Sequence, residues 1–404
     1  MSDLQITSAT LSSGERVDVE VRNGVVTRVC PAGAGSVPGI PHIDLTDRIL
    51  LPSFVEPHAH LDKAFLADRV SNEKGDLMGA IDGLSRIRDS LTHQDTVERA
   101  TAAVRLLSRN GVTLVRSHAD TTMDNGLRSI AALCEVRDNC RDFIDVQVCA
   151  LLEWPLTGSA GASRRALARD ALDAGADVIG GCPHLDDNPY GAVEFLLGLA
   201  IERGVPLDLH ADENLRPDSR DLEILADLLI RERVTHPATA SHCVSLSTME
   251  VNDVHRIAEK VAESSISVIS LPHTNLYLQG RESHTTKPRG IAPVGYLLGQ
   301  GVTVAAGGDN LQDPFNPMGR GDPLETASLM VIAGHVSPGA AFEMVSAGAR
   351  ATLGATPVDV AVGCRADFVS LPSTTLRESI AMAPHDRIVI RYGKVIDDHA
   401  RNKK

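Results

Sequence analysis

The 404-residue chain has few aromatics, 3% of the total, with one Trp, four Tyr and seven Phe. Its core must therefore be built from Ala, Val, Leu and Ile, which suits parallel strands buried under helices. It also lacks paired cysteines. The seven (30, 134, 140, 149, 182, 243 and 364) are odd in number, scattered, and form no CxxC. That excludes a disulfide framework and a cysteine zinc knuckle, and points to reduced thiols in the cytoplasm. Basic charge is short too. The net charge of −14 argues against a nucleic-acid partner or an anionic membrane surface. No apolar run approaches spanning length, and MSDLQITSATL has no basic-then-apolar signal pattern, so no membrane association is expected. No internal repeat or low-complexity segment is present.

What is there changes character along the chain. The first fifty residues read as short strands and turns: ITSATL, VDVEVRNGVVTRVC around an Asn-Gly turn signal, and HIDLTDRIL. Thereafter apolar β-rich runs alternate with helical stretches. The strand candidates are LLPSFVEPHAH, VTLVRSHAD, IDVQVCALLE, ADVIGGCPHLD, VPLDLHADE, ATASHC, ISVISLPHTN and VTVAAGGDN. Among the helices, THQDTVERATAAVRLLSRNG carries Thr92 as N-cap, an acid three residues on, and an Asn-Gly stop. Eight such units predict a (β/α)8 TIM-type barrel with its active site at the C-terminal strand ends. The tail returns to strands in ADFVSLP and DRIVIRYGKVID. The fold class is thus α/β, with the barrel (53–354) inserted in a small β-sandwich domain made of residues 1–52 and 355–404.

Residues 51–65, LPSFVEPHAHLDKAF, place two histidines one residue apart at the end of the first barrel strand. Residues two apart share a strand face, so Glu56, His58 and His60 project together. Such a pair suits two ligands on one metal, or two histidines that merely bond nearby backbone. Address decides between these readings. Of fifteen histidines, eight fall at or near C-terminal strand ends: His58, His60, His118, His184, His210, His242, His273 and, in the loop beyond, His284. Glu213 and Asp309 join them. Ordinary structural histidines would be spread over both barrel ends and the helices, so clustering favours a metal site.

With those residues in place, the sequence resembles the amidohydrolase superfamily, in its cytosine-deaminase branch, over nearly the whole chain. The resemblance rests on EPHAHLDKAF, RSHAD, LHADE, ASHCVSL, NLYLQGR followed by KPRGI, and GGDNLQDPF, with ADFVSLP and RYGKVI as the β-domain return. It implies that His58, His60, His210 and Asp309 ligate one divalent metal, zinc or iron(II). The fourth strand ends in GGCPHLDD and lacks the lysine that two-metal relatives use as a bridge. It further implies Glu213 as proton shuttle, His242 as the group orienting the attacking water, and Asp309 as both ligand and proton acceptor. His118 is a support for the ligands and His184 a pocket-lining residue, or each is an ordinary structural histidine.

The substrate-reading positions depart from cytosine deaminase. Glu153 stands where that enzyme has a glutamine, Asn310 replaces its second aspartate, and Phe315 replaces a tryptophan; Trp154 offers a stacking face. A carboxylate only accepts, so Glu153 favours a substrate N–H or amino group over a carbonyl. The expected activity is hydrolytic deamination of a small nitrogen heterocycle: an aminopyrimidine isomer, an aminotriazine or a creatinine-like ring. Cleavage of a cyclic amide or an N-alkyl amine by the same site is the alternative, and a non-catalytic metal-dependent binding protein is a reading from another class. A homo-oligomer is expected by family analogy.

Overall fold

The computed structural model describes residues 2–33 and 38–398. Its centre is a parallel sheet of eight strands in chain order: Phe54–Ala59, Val112–Thr121, Asp145–Leu152, Val178–Gly181, Leu207–Ala211, Ala238–His242, Ser267–Ser270 and Val304–Ala306. A parallel bridge between Ala59 and Asp309 joins last to first and closes it into a barrel. The second strand, buried at all ten positions, shows the period-2 logic. Val115 and Ala119 face outward into the large cluster under the helices. Leu114 faces inward to a small apolar plug with Val55, Ile269 and Ala305. Two residues further on, Arg116 meets Asp208 at 2.7 Å, and two further still His118 stacks on His58 with ring centroids 3.8 Å apart. The interior thus runs from hydrocarbon at the base, through an ion pair, to imidazoles at the rim.

The helix expected from its caps spans His93–Arg109. The Thr92 side chain accepts from the Asp95 N–H, and the chain leaves at Asn110 and at Gly111, whose φ of +91° suits glycine.

A second, mixed sheet combines five strands from the head of the chain (Leu4–Thr10, Arg16–Arg22, Val25–Pro31, His42–Asp44, Ile49–Pro52) with three from the tail (Phe368–Leu371, Ile388–Arg391, Lys394–Asp398). Asn23 and Gly24 both have positive φ and make the expected hairpin turn. Head and tail meet where Ile49–Pro52 pairs antiparallel with Phe368–Leu371, around an apolar cluster that includes Ile6, Val19, Phe368 and Ile390. Two expected strands are each divided. HIDLTDRIL breaks at Asp47, which has a φ of +62°. LLPSFVEPHAH breaks at Ser53 because its partners change: the Ser53 N–H donates to Asp367 of the tail, and the Phe54 N–H to Gly111 of the barrel.

The small sheet is tied to the barrel through Arg387, which is fully buried. Its guanidinium donates to both oxygens of Asp322 at 2.9 and 2.6 Å and to the Asn110 carbonyl at 2.7 Å, while Asp322 also caps the helix Pro323–Ile332. Removing one partner of such a pair strands a buried charge. Arg387→Ala is expected to lower unfolding stability by about 3–5 kcal/mol, read from the urea midpoint at constant slope; an unchanged midpoint would contradict this role.

Candidate metal centre and its cavity

Barrel closure brings the first and eighth strand ends together. The Asp309 N–H donates to the His58 carbonyl at 3.0 Å, and the His60 N–H to the Asp309 carbonyl at 3.3 Å. The Glu56 carboxylate clasps this seam, accepting from the Gly308 N–H at 3.0 Å and the His58 N–H at 3.2 Å. A Cβ at position 307 would lie 2.5 Å from Glu56 Oε1 and 3.3 Å from the His58 carbonyl, so glycine there leaves the Glu56 carboxyl its place. Burial pushes the Glu56 pKa up to about 8. Glu56 therefore serves the seam, behind the imidazoles rather than beside them as the strand alternation suggests; a register irregularity between Glu56 and Ala59 changes the side-chain alternation.

Three imidazoles and one carboxylate converge in front of it. His58 Nε2 and His60 Nε2 lie 3.5 and 3.2 Å from Asp309 Oδ1, and His210 Nε2 lies 3.3 Å from His60 Nε2. His58 Nε2 and both Asp309 oxygens are buried without a hydrogen-bond partner. Such orphaned lone pairs are costly unless a cation takes them up. Burial, the largest cause in each case, holds the imidazole pKa values down: well below normal for His58 and His210, to about 3 for His60. They are therefore neutral, as metal ligands must be. Zinc and iron(II) both accept this nitrogen-and-carboxylate set.

A deeper triad, His58, His118 and Asp208, also has ligand atoms within 4.8 Å of one another. Asp208 there is already matched by Arg116, so the barrel carries its own cation at that level. Asp208 also accepts from Ser241 Oγ at 3.1 Å, and Ser241 lies 2.8 Å from His58 Nδ1, which fixes the ring.

Around this centre lies a cleft with about 840 Å3 of empty space including its mouth. His60, His210, Glu213, His242, Asp309 and Asn310 line its floor, and Glu153, Trp154 and Phe315 its walls. His242 Nδ1 lies 3.0 Å from Asn275 Nδ2 and 3.6 Å from Glu213 Oε1, and its Nε2 has no partner. Burial lowers its pKa to about 4. Glu213 is buried, and burial first, then the Asp309 charge, raises its pKa well above normal. It is Asp212, not Glu213, that caps the following helix, accepting from the Asp221 and Leu222 N–H groups. That leaves Glu213 free for the cleft. Asp212, His242 and Asp309 all have positive φ, so three strand ends hold strained backbone at this rim.

Other expected positions differ in detail. Glu153 Oε1 is engaged by the Met123 N–H at 2.8 Å and Arg164 Nε at 2.9 Å. Both atoms of the Asn310 amide are bonded, Nδ2 to Asp313 and Oδ1 to Thr274. Cys182 and Leu185 line the cleft, but His184 between them does not: its Nδ1 is 3.1 Å from the His210 carbonyl, where it supports a ligand. His284 is exposed and away from the cleft, since the loop after the seventh strand carries it outward. His273 sits behind the site, 3.6 Å from Glu325.

Four features escaped the sequence. Asn275 and Ser241 position ligating or polar imidazoles, although both lie inside quoted motifs. The helix Leu77–Ile87 presents Leu77, Ile81, Leu84 and Ser85 to the cleft, and the following Arg88 joins them, a helical-period stripe. The fourth is a buried charge cluster: Lys63 pairs with Asp120, Arg88 reaches Asp120 at 3.1 Å, and Asp62 lies 3.9 Å from Lys63. Burial pulls the Lys63 pKa down, but Asp120 and Asp62 outweigh it and the net shift is upward.

A family profile for the amidohydrolase family matches residues 70–397. The pterin deaminase of Rhizobium rhizogenes is 29% identical over 389 residues, which is 95% of this chain and 88% of that protein. The crystal structure of 5-methylcytosine deaminase from Klebsiella pneumoniae liganded with 5-fluorocytosine superposes with a TM-score of 0.89 at 29% identity, covering 98% of this chain and 97% of that one. N-isopropylammelide isopropylaminohydrolase from Burkholderia multivorans superposes with a TM-score of 0.85 at 27% identity, covering 98% and 99%.

Ser241→Ala removes the group that fixes the His58 ring. It is expected to weaken zinc binding about 10–100-fold, measured by competition with a chromophoric chelator. Unaltered affinity would show that Ser241 does not orient the ligand.

Proposed function

Because the chain belongs to the amidohydrolase family, in its cytosine-deaminase-like branch, we propose that it is a metal-dependent deaminase of a small oxygen- and amino-substituted nitrogen heterocycle. The observation that carries this reading is geometric: Glu213, a buried carboxyl whose pKa burial raises, lies 3.6 Å from His242 and lines the same cleft as a convergent set of three imidazoles and the Asp309 carboxylate. His58, His60, His210 and Asp309 would hold one divalent ion, zinc or iron(II). Bound there, it acts as a Lewis acid and brings the pKa of a water from about 16 to about 7.

The chain's own groups do the rest. His242 is neutral, oriented through Nδ1 by Asn275, and keeps Nε2 to bond the attacking water and the charge that develops on its oxygen. Asp309 has two unbonded carboxylate oxygens, one for the ion and one to take the proton the water gives up. Glu213 donates its proton to a ring nitrogen as the carbon becomes tetrahedral. Left ionised, it takes the proton of the new carbon-bound hydroxyl as the C=O forms and hands it to the amino group, which leaves as ammonia, and the proton held by Asp309 restores Glu213 for the next turnover. The apolar side chains of Leu77, Ile81, Leu84 and Trp154 line the cleft and suit a flat ring. Glu153 keeps its second oxygen as an acceptor for a substrate N–H. One ion is favoured over two because Cys182, not a lysine, follows the fourth strand, and because Arg116 neutralises the deeper carboxylate.

The pterin, 5-methylcytosine and N-isopropylammelide activities of the relatives support a heterocyclic substrate. The last of them supports a second reading, in which the same groups expel an alkylamine; the amine released tells the two apart. The seven unbridged cysteines favour the cytoplasm. Among the described residues no helix is long and apolar enough to cross a membrane.

Glu213→Gln keeps the size of the side chain and removes its titratable proton. The expected result is a fall in kcat of about 10²–10⁴-fold in ammonia release, with bound metal unchanged. Retained turnover would remove Glu213 from the mechanism.

A further inference from the structure

Most polar side chains around the cleft are already spent: the Asn310 amide on Asp313 and Thr274, and Glu153 Oε1 on Arg164 and Met123. Lys63 is different. Its ammonium carries three donors and no acceptor. It lines the cleft with its side chain 4% exposed. Among the described residues only Asp120 lies within hydrogen-bond distance, and Asp62 Oδ1, at 3.9 Å, is too far. Asp120 spends its other oxygen on Arg88, whose Nε is buried and unbonded. Asp120 thus bonds both cations, with Asp62 3.9 Å from Lys63 and Asp124 3.6 Å from Arg88 Nε as ion-pair neighbours beyond hydrogen-bond distance, so both cations retain N–H groups without a hydrogen-bond partner among the described residues. The ammonium also sits over the Phe315 ring, 5.7 Å from its centroid, and both side chains line the cleft.

We propose that Lys63, held by Asp120 and backed by Arg88, is the specificity-determining donor of this site. It reads an oxo oxygen on the substrate ring, so the preferred substrates are amino-oxo heterocycles rather than their fully aminated counterparts. An aromatic amino group in the oxo position has no lone pair to offer. It would set N–H against N–H beside the buried ammonium, leaving it short of acceptors. This inference takes its reaction from the deaminase reading, but the recognition it describes is a matter of binding.

The test compares pterin with 2,4-diaminopteridine, which differ in an oxo against an amino group at one ring position, on the zinc-loaded protein. Ammonia release gives kcat/KM for each, and calorimetric titration of the same holoprotein gives each affinity. The wild type is expected to favour pterin by about 10²-fold or more. Lys63→Met is expected to collapse that ratio at least tenfold, chiefly through loss on pterin, with zinc content retained; it also strips a cation from the buried Asp120, so a lower melting temperature accompanies it and the ratio is the readout that decides. Lys63→Arg, which restores a cationic donor, is expected to recover part of it. A purely structural Lys63 would move stability and leave the ratio in place. A wild type that takes both compounds equally, or a ratio unmoved by Lys63→Met, would overturn the proposal. The wild-type comparison needs no variant to fold. If no ammonia is released from either compound, pteridines are removed from the deaminase reading, and the two affinities still decide on Lys63: tighter pterin binding supports its role, while equal binding or none refutes it.

Discussion

Closure of the barrel between its first and eighth strands is the contact on which the rest depends. Two segments some 250 residues apart in the chain meet at Ala59 and Asp309, and the clasp is a side chain. The buried Glu56 carboxyl holds the Gly308 and His58 N–H groups from behind, against glycines that leave it room. Only with this seam shut do His58 and His60 face Asp309. The fifth strand then needs to contribute His210 alone for the ligand set to be complete. The site is thus not an ornament on a finished barrel, because its assembly and the barrel's closure use the same backbone bonds.

The interior solves an electrostatic problem in layers. Five clustered imidazoles would be intolerable in hydrocarbon if charged, and burial instead holds their pKa values down and raises that of Glu213. Where full charges are kept, they are matched: Arg116 with Asp208 beneath the histidines, and Lys63 and Arg88 with Asp120, Asp62 and Asp124 at the rim. What stays unmatched is the group of lone pairs between His58 and Asp309, where a divalent cation is the natural complement. The two reactive ends of the cleft are correspondingly distinct. One is rich in acceptors and suited to a metal, and the other presents cationic donors suited to a substrate oxygen.

Much of this was legible in the sequence because period and position carry the information. Strand ends rich in histidine, such as LHADE and GGDN, announce a functional rim, and the Thr92 cap and the Asn23-Gly24 turn fall where their chemistry requires. Other features were not legible because they depend on tertiary contacts. Nothing local says that Ser53 exchanges partners between two sheets, or that Glu56 turns to the seam while His58 faces the opening. Asp212 and Glu213 are adjacent acids, and only the packing of the next helix decides that one caps it and the other lines the cleft. His184 looked like a lining residue because it ends a strand, but the turn after Gly181 places it behind His210. Lys63, Asp120 and Arg88 come from three separate segments, and their pairing has no signature in any one of them. The helix Leu77–Ile87 reads as an ordinary amphipathic helix, and its apolar face gives no sign that it covers a cleft rather than core.

The central claim is that three imidazoles and one carboxylate grip a single divalent ion. X-ray absorption at the zinc edge of protein loaded with one equivalent examines that shell directly. The account predicts nitrogen and oxygen neighbours at about 2.0–2.2 Å, imidazole multiple scattering from three rings, and saturation at one ion per chain. A sulfur shell at about 2.3 Å from Cys182, or a second metal at about 3.5–4 Å, would contradict it.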